Sequence, residues 1–163
     1  MAELTTDQVW KAVEKELFAI IGMVTAHDEA RTAGIVYVAR NRQLYIATGR
    51  LSWKARHMRA NAHVSITIPV TKRLLFLPWI RIPSATITFS GTARLLEPGE
   101  TTAEIRRALL GPHRDDKALQ DESCFVEVVP RGDFVTYGIG VPLLQMRDRA
   151  KARGRAPVAL AAG

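Results

Sequence analysis

The feature that most constrains this chain is a series of short β-rich runs, most of them separated by turns. A run of about four to eight residues with alternating or continuous apolar side chains, bounded by turn residues, is typical of a strand. Seven such runs predict strands, at residues 18–26, 35–39, 43–48, 63–68, 86–96, 124–129 and 134–139. Residues 40–42 are few enough for a hairpin loop, and residues 130–133, Pro-Arg-Gly-Asp, predict a turn between the last two strands.

Three short helices are predicted between these strands. Thr5 followed by Gln8 is a capping-box signature for a helix that opens the chain. Ser52 stands at the N-cap position of a second helix over residues 52–61, and a third helix is predicted over residues 98–110. Hairpin-connected strands with helices placed irregularly among them favour a closed or nearly closed antiparallel barrel over a parallel sheet. The predicted fold class is therefore mainly β, with about seven strands.

The length of 163 residues predicts one domain, and a hydrophobic content of 47% is enough for a buried core. We assign residues 1–140 to the barrel domain and residues 141–163 to a basic C-terminal tail that could cover a partner subunit. The basic residues of this tail alternate with small ones: Arg147, Arg149, Lys151, Arg153 and Arg155. A block of like charge of this kind is typical of a solvated segment.

Charge and cysteine content bear on partners and compartment. The net charge of +7 favours anionic partners such as phosphates, nucleic acid or acidic lipid, without choosing among them. Cys124 is the only cysteine, which excludes an intrachain disulfide and fits a reducing compartment. The first residues lack the order of a secretory signal, and no apolar run reaches the roughly 20 residues of a spanning helix. We therefore expect a cytoplasmic protein without a membrane span.

The segment from residue 47 to residue 54 carries the strongest chemical signal, because it runs from a strand end through a turn into a helix start. Such a junction gathers free backbone N–H groups and the positive end of the helix dipole. Here it also carries the hydroxyls of Thr48 and Ser52 and the cations of Arg50 and Lys54. These groups suit a phosphate, although an ordinary capped helix with exposed basic residues would show the same pattern.

At Thr48, Ser52 and Lys54 the sequence resembles the pyridoxamine 5'-phosphate oxidase-like family of FMN-binding split β-barrels. That family often shows Thr, three residues, Ser, one residue and Lys after a strand, followed by a helix that ends near an Asn, which here is Asn61. The match is position by position over residues 48–62 and looser from residue 18 to residue 68. The resemblance implies a split-barrel fold and a homodimer whose cofactor sites lie in clefts between the subunits.

The resemblance also implies a set of cofactor-binding residues. Ser52 and Lys54 would bind the FMN phosphate, within a turn that also contains Gly49 and Arg50. Arg50 could help to hold the phosphate or take an exposed salt-bridging role. The groups expected along the ribityl chain and the ring are Thr48, Ile35, Val36 and Tyr37. Arg31, with Thr32, corresponds after a one-residue slip in the hairpin to an Arg-Thr pair that contacts FMN in many members.

Two departures from the family pattern affect the expected function. The chain lacks the Arg-Leu-Pro ending that pyridoxamine phosphate oxidases use for their substrate, which argues against vitamin B6 oxidation. The apolar segment 74–83 is longer than in typical members and could line a substrate cleft, cover the dimer seam or touch a membrane surface.

The favoured function is an FMN-dependent oxidoreductase that passes a hydride or electrons to a small organic substrate, with the chemistry residing in the ring. Coenzyme F-420 is a close alternative cofactor in related split barrels. A second class of function is a flavin- or haem-binding module without turnover, and a third is a basic protein that binds nucleic acid or anionic lipid. The histidines are scattered without ligand spacing and no nucleic-acid motif is present, so neither a metal nor a nucleic-acid partner is predicted.

Overall fold

The computed structural model describes residues 2–71, 85–97, 99–113, 116–142, 145–146 and 148–159. The strands are β1 (Ala2–Glu3), β2 (Phe18–Val24), β3 (Ala30–Arg40), β4 (Gln43–Gly49), β5 (His63–Val70), β6 (Ala85–Leu95), β7 (Ser123–Tyr137) and β8 (Arg153–Pro157). The helices are α1 (Thr6–Val13), α2 (Trp53–Ala60), α3 (Ala103–Leu110), α4 (Lys117–Glu122) and α5 (Arg149–Ala152), and a single 3₁₀ turn spans Gly111–His113. Within these described ranges, each helix is too short or too polar to cross a bilayer.

Six strands close into an antiparallel barrel. Their order is β7-β4-β3-β2-β5-β6, and pairing between β6 and β7 completes the circle. Strand β8 pairs in the antiparallel sense with the C-terminal part of β7, residues 133–137, and the two-residue β1 pairs with β8 in parallel. The prediction of a mainly β fold with about seven antiparallel strands is therefore confirmed.

The β3–β4 hairpin shows how local sequence determines this meander. Arg40 pairs with Gln43, so the loop contains only Asn41 and Arg42, which have φ values of 52° and 58°. A two-residue loop with positive φ at both positions matches the right-handed twist of the strands that it joins. The predicted hairpin is confirmed, with Arg40 belonging to the strand instead of the loop.

The barrel interior is filled by the inward-facing residues of all six strands. Fully buried members include Ile21, Tyr37, Ile46, Ile66, Ile87 and Phe134. Helix α1 contributes Trp10, whose ring packs edge-on against Phe134 at 5.3 Å between centroids. Helix α2 contributes Met58 to the same core. Both helices therefore belong to the folded barrel, and the capping box predicted for α1 at Thr5 is present.

Two predicted boundaries are wrong. The predicted turn at residues 130–133 lies inside the continuous strand β7, where three residues of β7 face one residue of β6 between the pairs Thr88–Val135 and Ser90–Arg131. Gly132, with φ of 72°, accommodates this bulge. Helix α3 begins at residue 103 and not at residue 98, because the Thr102 side chain accepts the N–H of Ile105 and forms the N-cap.

The C-terminal segment differs from the predicted solvated tail. Arg153 and Arg155 do expose their side chains, but Gly154 and Ala156 are buried and the backbone pairs with β7. Helix α1 packs against the end of β8. Trp10 Nε1 donates to the carbonyl of Val158 at 3.0 Å, and the Thr6 hydroxyl donates to the carbonyl of Pro157 at 2.8 Å. The domain boundary at residue 140 stays a prediction.

Candidate functional site

The junction between β4 and α2 is the best-formed polar site among the sequence candidates. Ser52 is the N-cap of α2, as predicted, and its Oγ accepts the N–H of Ala55 at 3.2 Å. The backbone N–H of Ser52 donates to the carbonyl of Gly49 at 3.0 Å, which closes a tight turn. The hydroxyl oxygen of Thr48, at the end of β4, lies 3.1 Å from that of Ser52. The structure thus brings Thr48, Gly49 and Ser52 together.

The first turn of α2 offers donors that lack acceptors within the described part of the chain. The backbone N–H groups of Trp53 and Lys54 have no acceptor there, and the Lys54 ammonium forms no ion pair. No acidic residue lies in this first turn. Because the N-terminus of a helix also carries a partial positive charge, this donor set suits a bound anion.

Arg50 has a role that neither sequence hypothesis described. Its Nε and Nη2 atoms donate to the carbonyls of Asp121 and Ser123, at 3.3 and 3.2 Å. Its backbone N–H donates to the carbonyl of Glu122 at 2.7 Å. The guanidinium therefore joins the turn of residues 49–52 to the start of β7, and its contacts are with carbonyls instead of a carboxylate side chain.

The three residues predicted on β3 divide between the two faces of the strand. Val36 points outward and is 59% exposed, whereas Ile35 and Tyr37 point into the barrel. The Tyr37 hydroxyl donates to the carbonyl of Val13 at 2.6 Å, and burial raises the pKa of this tyrosine well above its ordinary value. Only backbone groups of Ile35 and Tyr37 could therefore contact a ligand on the outer surface.

Arg31 lies in a different cavity from the turn of residues 49–52. It forms an exposed ion pair with Glu29 at 2.7 Å and lines an outer groove of about 400 Å³ together with His63 and Arg131. The lining of that groove also includes Gly22 and Ser65, which are register partners on β2 and β5. The assignment of Arg31 to the cofactor stays a prediction.

Sequence reasoning missed a cavity of about 570 Å³ on the β7 side of the turn, which we name the turn cavity. Its lining consists of residues 49–52, Leu119 and residues 121–123. Ser123 reaches the turn because it is the register partner of Gly49 in the β4–β7 ladder. No local pattern at residues 119–123 signals this contact, since it depends on a pairing between distant strands.

The outer face of the barrel carries exposed apolar side chains. Phe18 on β2 is the register partner of Val36 on β3, and they are 47% and 59% exposed. Ile20 lies on the same face of β2 as Phe18. Its row of register partners runs through Thr67 on β5 and Thr88 on β6 to the exposed Val135 on β7. We name Phe18, Ile20, Val36 and Val135 the outer apolar strip.

Other candidate features are limited. The apolar segment 74–83 lies outside the described residues. In the part of the chain that the structure describes, no three His, Cys, Asp or Glu side chains form a group that could hold a metal ion. Cys124 is buried, which raises the pKa of its thiol.

Comparison with known proteins gives the fold. No family model and no curated protein matches the chain by sequence. Among solved structures, a pyridoxamine 5'-phosphate oxidase-like protein from Listeria innocua superposes with a TM-score of 0.60 and 18% identity, over 77% of this chain and 92% of that one. An FAD-binding protein from Mesorhizobium loti gives a TM-score of 0.59 and 13% identity, over 78% and 88%.

A haem-binding protein from Mycobacterium smegmatis gives a TM-score of 0.70 and 12% identity, over 97% of this chain and 60% of that one. At these identities the shared property is the backbone architecture. That architecture is a six-stranded antiparallel barrel with short helices and an additional strand. The chain therefore has the split-barrel fold, the same fold as these flavin-binding and haem-binding proteins.

Proposed function

We propose that this protein is a flavin-dependent oxidoreductase that binds FMN and passes a hydride or electrons to a small organic substrate. The observation that carries the proposal is the donor set at the start of α2. Two hydroxyls and the unpaired backbone N–H groups of Trp53 and Lys54 lie at one junction. Lys54 adds a cation to the first turn of α2, and this turn contains no acidic residue. A phosphate monoester supplies the acceptors and the negative charge that these donors lack.

The chain's own residues would bind and orient the cofactor. Lys54 and Ser52 would hold the phosphate, and the outward side chain of Val36, beside Phe18, offers an apolar surface for a ring. When bound, the flavin ring supplies the redox chemistry, so no side-chain acid or base is obligatory. The FAD-binding protein of the same fold supports a flavin as the cofactor class. Coenzyme F-420 is the alternative that the same phosphate site would accept.

The proposal includes a homodimer that acts in the cytoplasm. The outer apolar strip, whose members lie on β3, β2 and, beyond Thr67 and Thr88, on β7, supports self-association because it leaves large apolar side chains in water. A second copy packed on this strip would cover Phe18, Ile20 and Val135 and would place a cleft beside Val36. The cofactor ring would then be shielded from water by both subunits.

The first test is a titration of the purified protein with FMN and, separately, with riboflavin and F-420. Flavin fluorescence gives the affinity, and the midpoint of thermal unfolding gives an independent measure, because a ligand that binds only the folded state stabilises it. We expect FMN to saturate at micromolar concentration and riboflavin, which lacks the phosphate, to bind at least about tenfold more weakly. Equal affinity for FMN and riboflavin would show that the phosphate contributes nothing to binding, which would contradict its placement at the start of α2.

A second candidate function is haem binding without turnover. The observation that favours it is the superposition on the haem-binding protein from Mycobacterium smegmatis over 97% of this chain. Haem titration followed by its visible absorption band separates the two functions. Saturable haem binding, together with no response to flavins, would replace the oxidoreductase proposal.

A further inference from the structure

The outer groove, to which His63 and Arg131 contribute, shares no lining residue with the turn of residues 49–52. Its lining includes one continuous row of register partners on five neighbouring strands of the barrel. This row consists of Thr32 on β3, Gly22 on β2, Ser65 on β5, Ser90 on β6 and Arg131 on β7. The side chains of directly opposite residues lie about 4.5 to 5.5 Å apart, so neighbouring members of the row can contact the same ligand.

Gly22 keeps the middle of this row open. A Cβ atom at this position would collide with the Oγ of Ser65, so a larger residue would displace the Ser65 hydroxyl. Val24 and Ala30 also line the groove and add apolar surface to it. The glycine therefore leaves space for a ligand between Thr32 and Ser65, beside an apolar wall.

The polar side chains around this space offer donors without acceptors. Within the described part of the chain, Ser65, Ser90 and Arg131 form no side-chain hydrogen bond or ion pair, and the ring of His63 is also free. Thr92, the register partner of His63, has a buried hydroxyl oxygen without a hydrogen-bond partner. This end of the groove therefore has hydrogen-bonding capacity that the protein itself does not use.

The charge of the lining favours an anion. Among the described residues that line the groove, none is acidic, and Arg131 has no counter-ion. A guanidinium binds a carboxylate or a phosphate through two parallel hydrogen bonds, and hydroxyls and an imidazole N–H supply further donors. The volume of about 400 Å³ is larger than an oxyanion needs and suits a small organic molecule that carries one.

The groove borders the surface proposed for the flavin ring. Phe18, Ile20 and Gly22 lie on the same face of β2, and four residues of a strand extend about 13 Å. The ring is proposed to lie beside Phe18 and Val36. A molecule anchored by its oxyanion near Gly22 would therefore reach the ring across Ile20.

We propose that the outer groove binds the oxyanion, a carboxylate or a phosphate, of a small organic anion that is the substrate of the oxidoreductase. Arg131 supplies the charge, and Ser65, Ser90 and His63 supply the remaining donors. The inference rests on the proposed function, whose substrate class it names, whereas the anion site itself does not require a bound flavin.

The test is a calorimetric titration with benzoate, phenyl phosphate and the neutral benzamide, in the presence and in the absence of FMN. We expect one of the two anions to bind with a Kd of about 1 mM or below, and benzamide to bind at least about tenfold more weakly. The anion that binds more tightly identifies the oxyanion. In the FMN-loaded protein, its binding should also change the visible absorption of the flavin, because the molecule reaches the ring.

Two variants locate the site. Arg131→Gln removes the cation, and Gly22→Ala displaces the Ser65 hydroxyl without removing a donor. We expect each to weaken binding of the tighter anion about tenfold or more, with unchanged circular dichroism. The matched control is Arg153→Gln, since Arg153 is an exposed strand arginine without an ion pair among the described residues and lies outside the groove. It should leave the affinity unchanged.

The outcomes separate this inference from the proposed function. Anion binding that does not depend on Arg131, or benzamide binding as tight as that of the anions, would overturn the inference and leave FMN binding untouched. Arg131-dependent binding that leaves the flavin spectrum unchanged would overturn the substrate role. Arg131-dependent binding in a protein that binds no flavin would overturn the proposed function, and the groove would stand as an anion site alone.

Discussion

The hydroxyl oxygens of Thr48 and Ser52 lie 3.1 Å apart, at the two ends of the turn that joins β4 to α2. One hydroxyl proton is used within this pair, and Ser52 also accepts the N–H of Ala55. Two hydroxyls carry two protons, so one proton stays available for a third group. The pair that shapes the turn therefore also supplies a donor beside the free N–H groups of α2.

Replacing Ser52 by alanine separates the capping role from the binding role. Loss of the N-cap should lower the free energy of unfolding by about 0.5 to 2 kcal/mol. Thr102→Ala is the matched control, because Thr102 is the N-cap of α3 and accepts the N–H of Ile105. We expect both variants to lose stability in chemical unfolding, and only Ser52→Ala to lose FMN affinity. Equal FMN affinity in the two variants would show that Ser52 is a cap and nothing more.

Lys54→Gln should weaken FMN binding without weakening the fold. A hydrogen bond to a charged group contributes about 1.5 to 3 kcal/mol, which corresponds to an increase in Kd of about 10- to 150-fold. The salt dependence of FMN binding should also decrease, since one cation is lost. Fluorescence titration at two ionic strengths measures both effects. Lys11→Gln, on α1, is the control, and a comparable loss of affinity there would indicate a general charge effect.

Phe18→Asp should disrupt self-association through the outer apolar strip. Its ring lies over Gly34 and beside Val36, so a carboxylate there would place charge in the proposed contact. We expect sedimentation velocity to show a dimer for the unmodified protein and for Phe18→Leu, and a monomer for Phe18→Asp, with unchanged circular dichroism. A dimer that persists in Phe18→Asp would place the subunit contact on another surface.

Tyr37→Phe should change the dependence of stability on pH. The variant loses the hydrogen bond to the Val13 carbonyl, which costs about 0.5 to 1.5 kcal/mol at neutral pH. Burial raises the pKa of Tyr37 in the folded state, whereas the unfolded chain releases this proton near pH 10. The contribution of Tyr37 is thus complete below about pH 10 and is lost as the pH rises further.

Urea unfolding at pH 7, 9 and 10.5 checks this expectation. The difference in unfolding free energy between the unmodified protein and Tyr37→Phe should shrink at the highest pH. The raised pKa of Tyr45 does not affect the comparison, because that residue is the same in both proteins. A difference that stays constant over this range would argue against a buried, protonated Tyr37.

The sequence predicts features whose causes lie close together in the chain. The β3–β4 hairpin and the Ser52 cap follow from residues a few positions apart, and both are present. Whether residues 130–133 form a turn or a bulge depends on the pairing of β7 with β6. A Pro and a Gly suit a turn and a bulge equally well, so the local sequence does not decide between them. The contact of Arg50 with the carbonyl of Ser123 likewise needs the β4–β7 ladder, which no local pattern encodes.

The docking of α1 on β8 has a consequence for the order of events during synthesis. The ribosome makes α1 before β8, yet the acceptors for Thr6 and Trp10 are the carbonyls of Pro157 and Val158, 151 and 148 positions later in the sequence. Contacts between such distant segments cannot form until the later segment has emerged. Helix α1 therefore cannot complete its docking until residues 157 and 158 have left the exit tunnel, and until then the hydrogen bonds of Thr6 and Trp10 lack their acceptors.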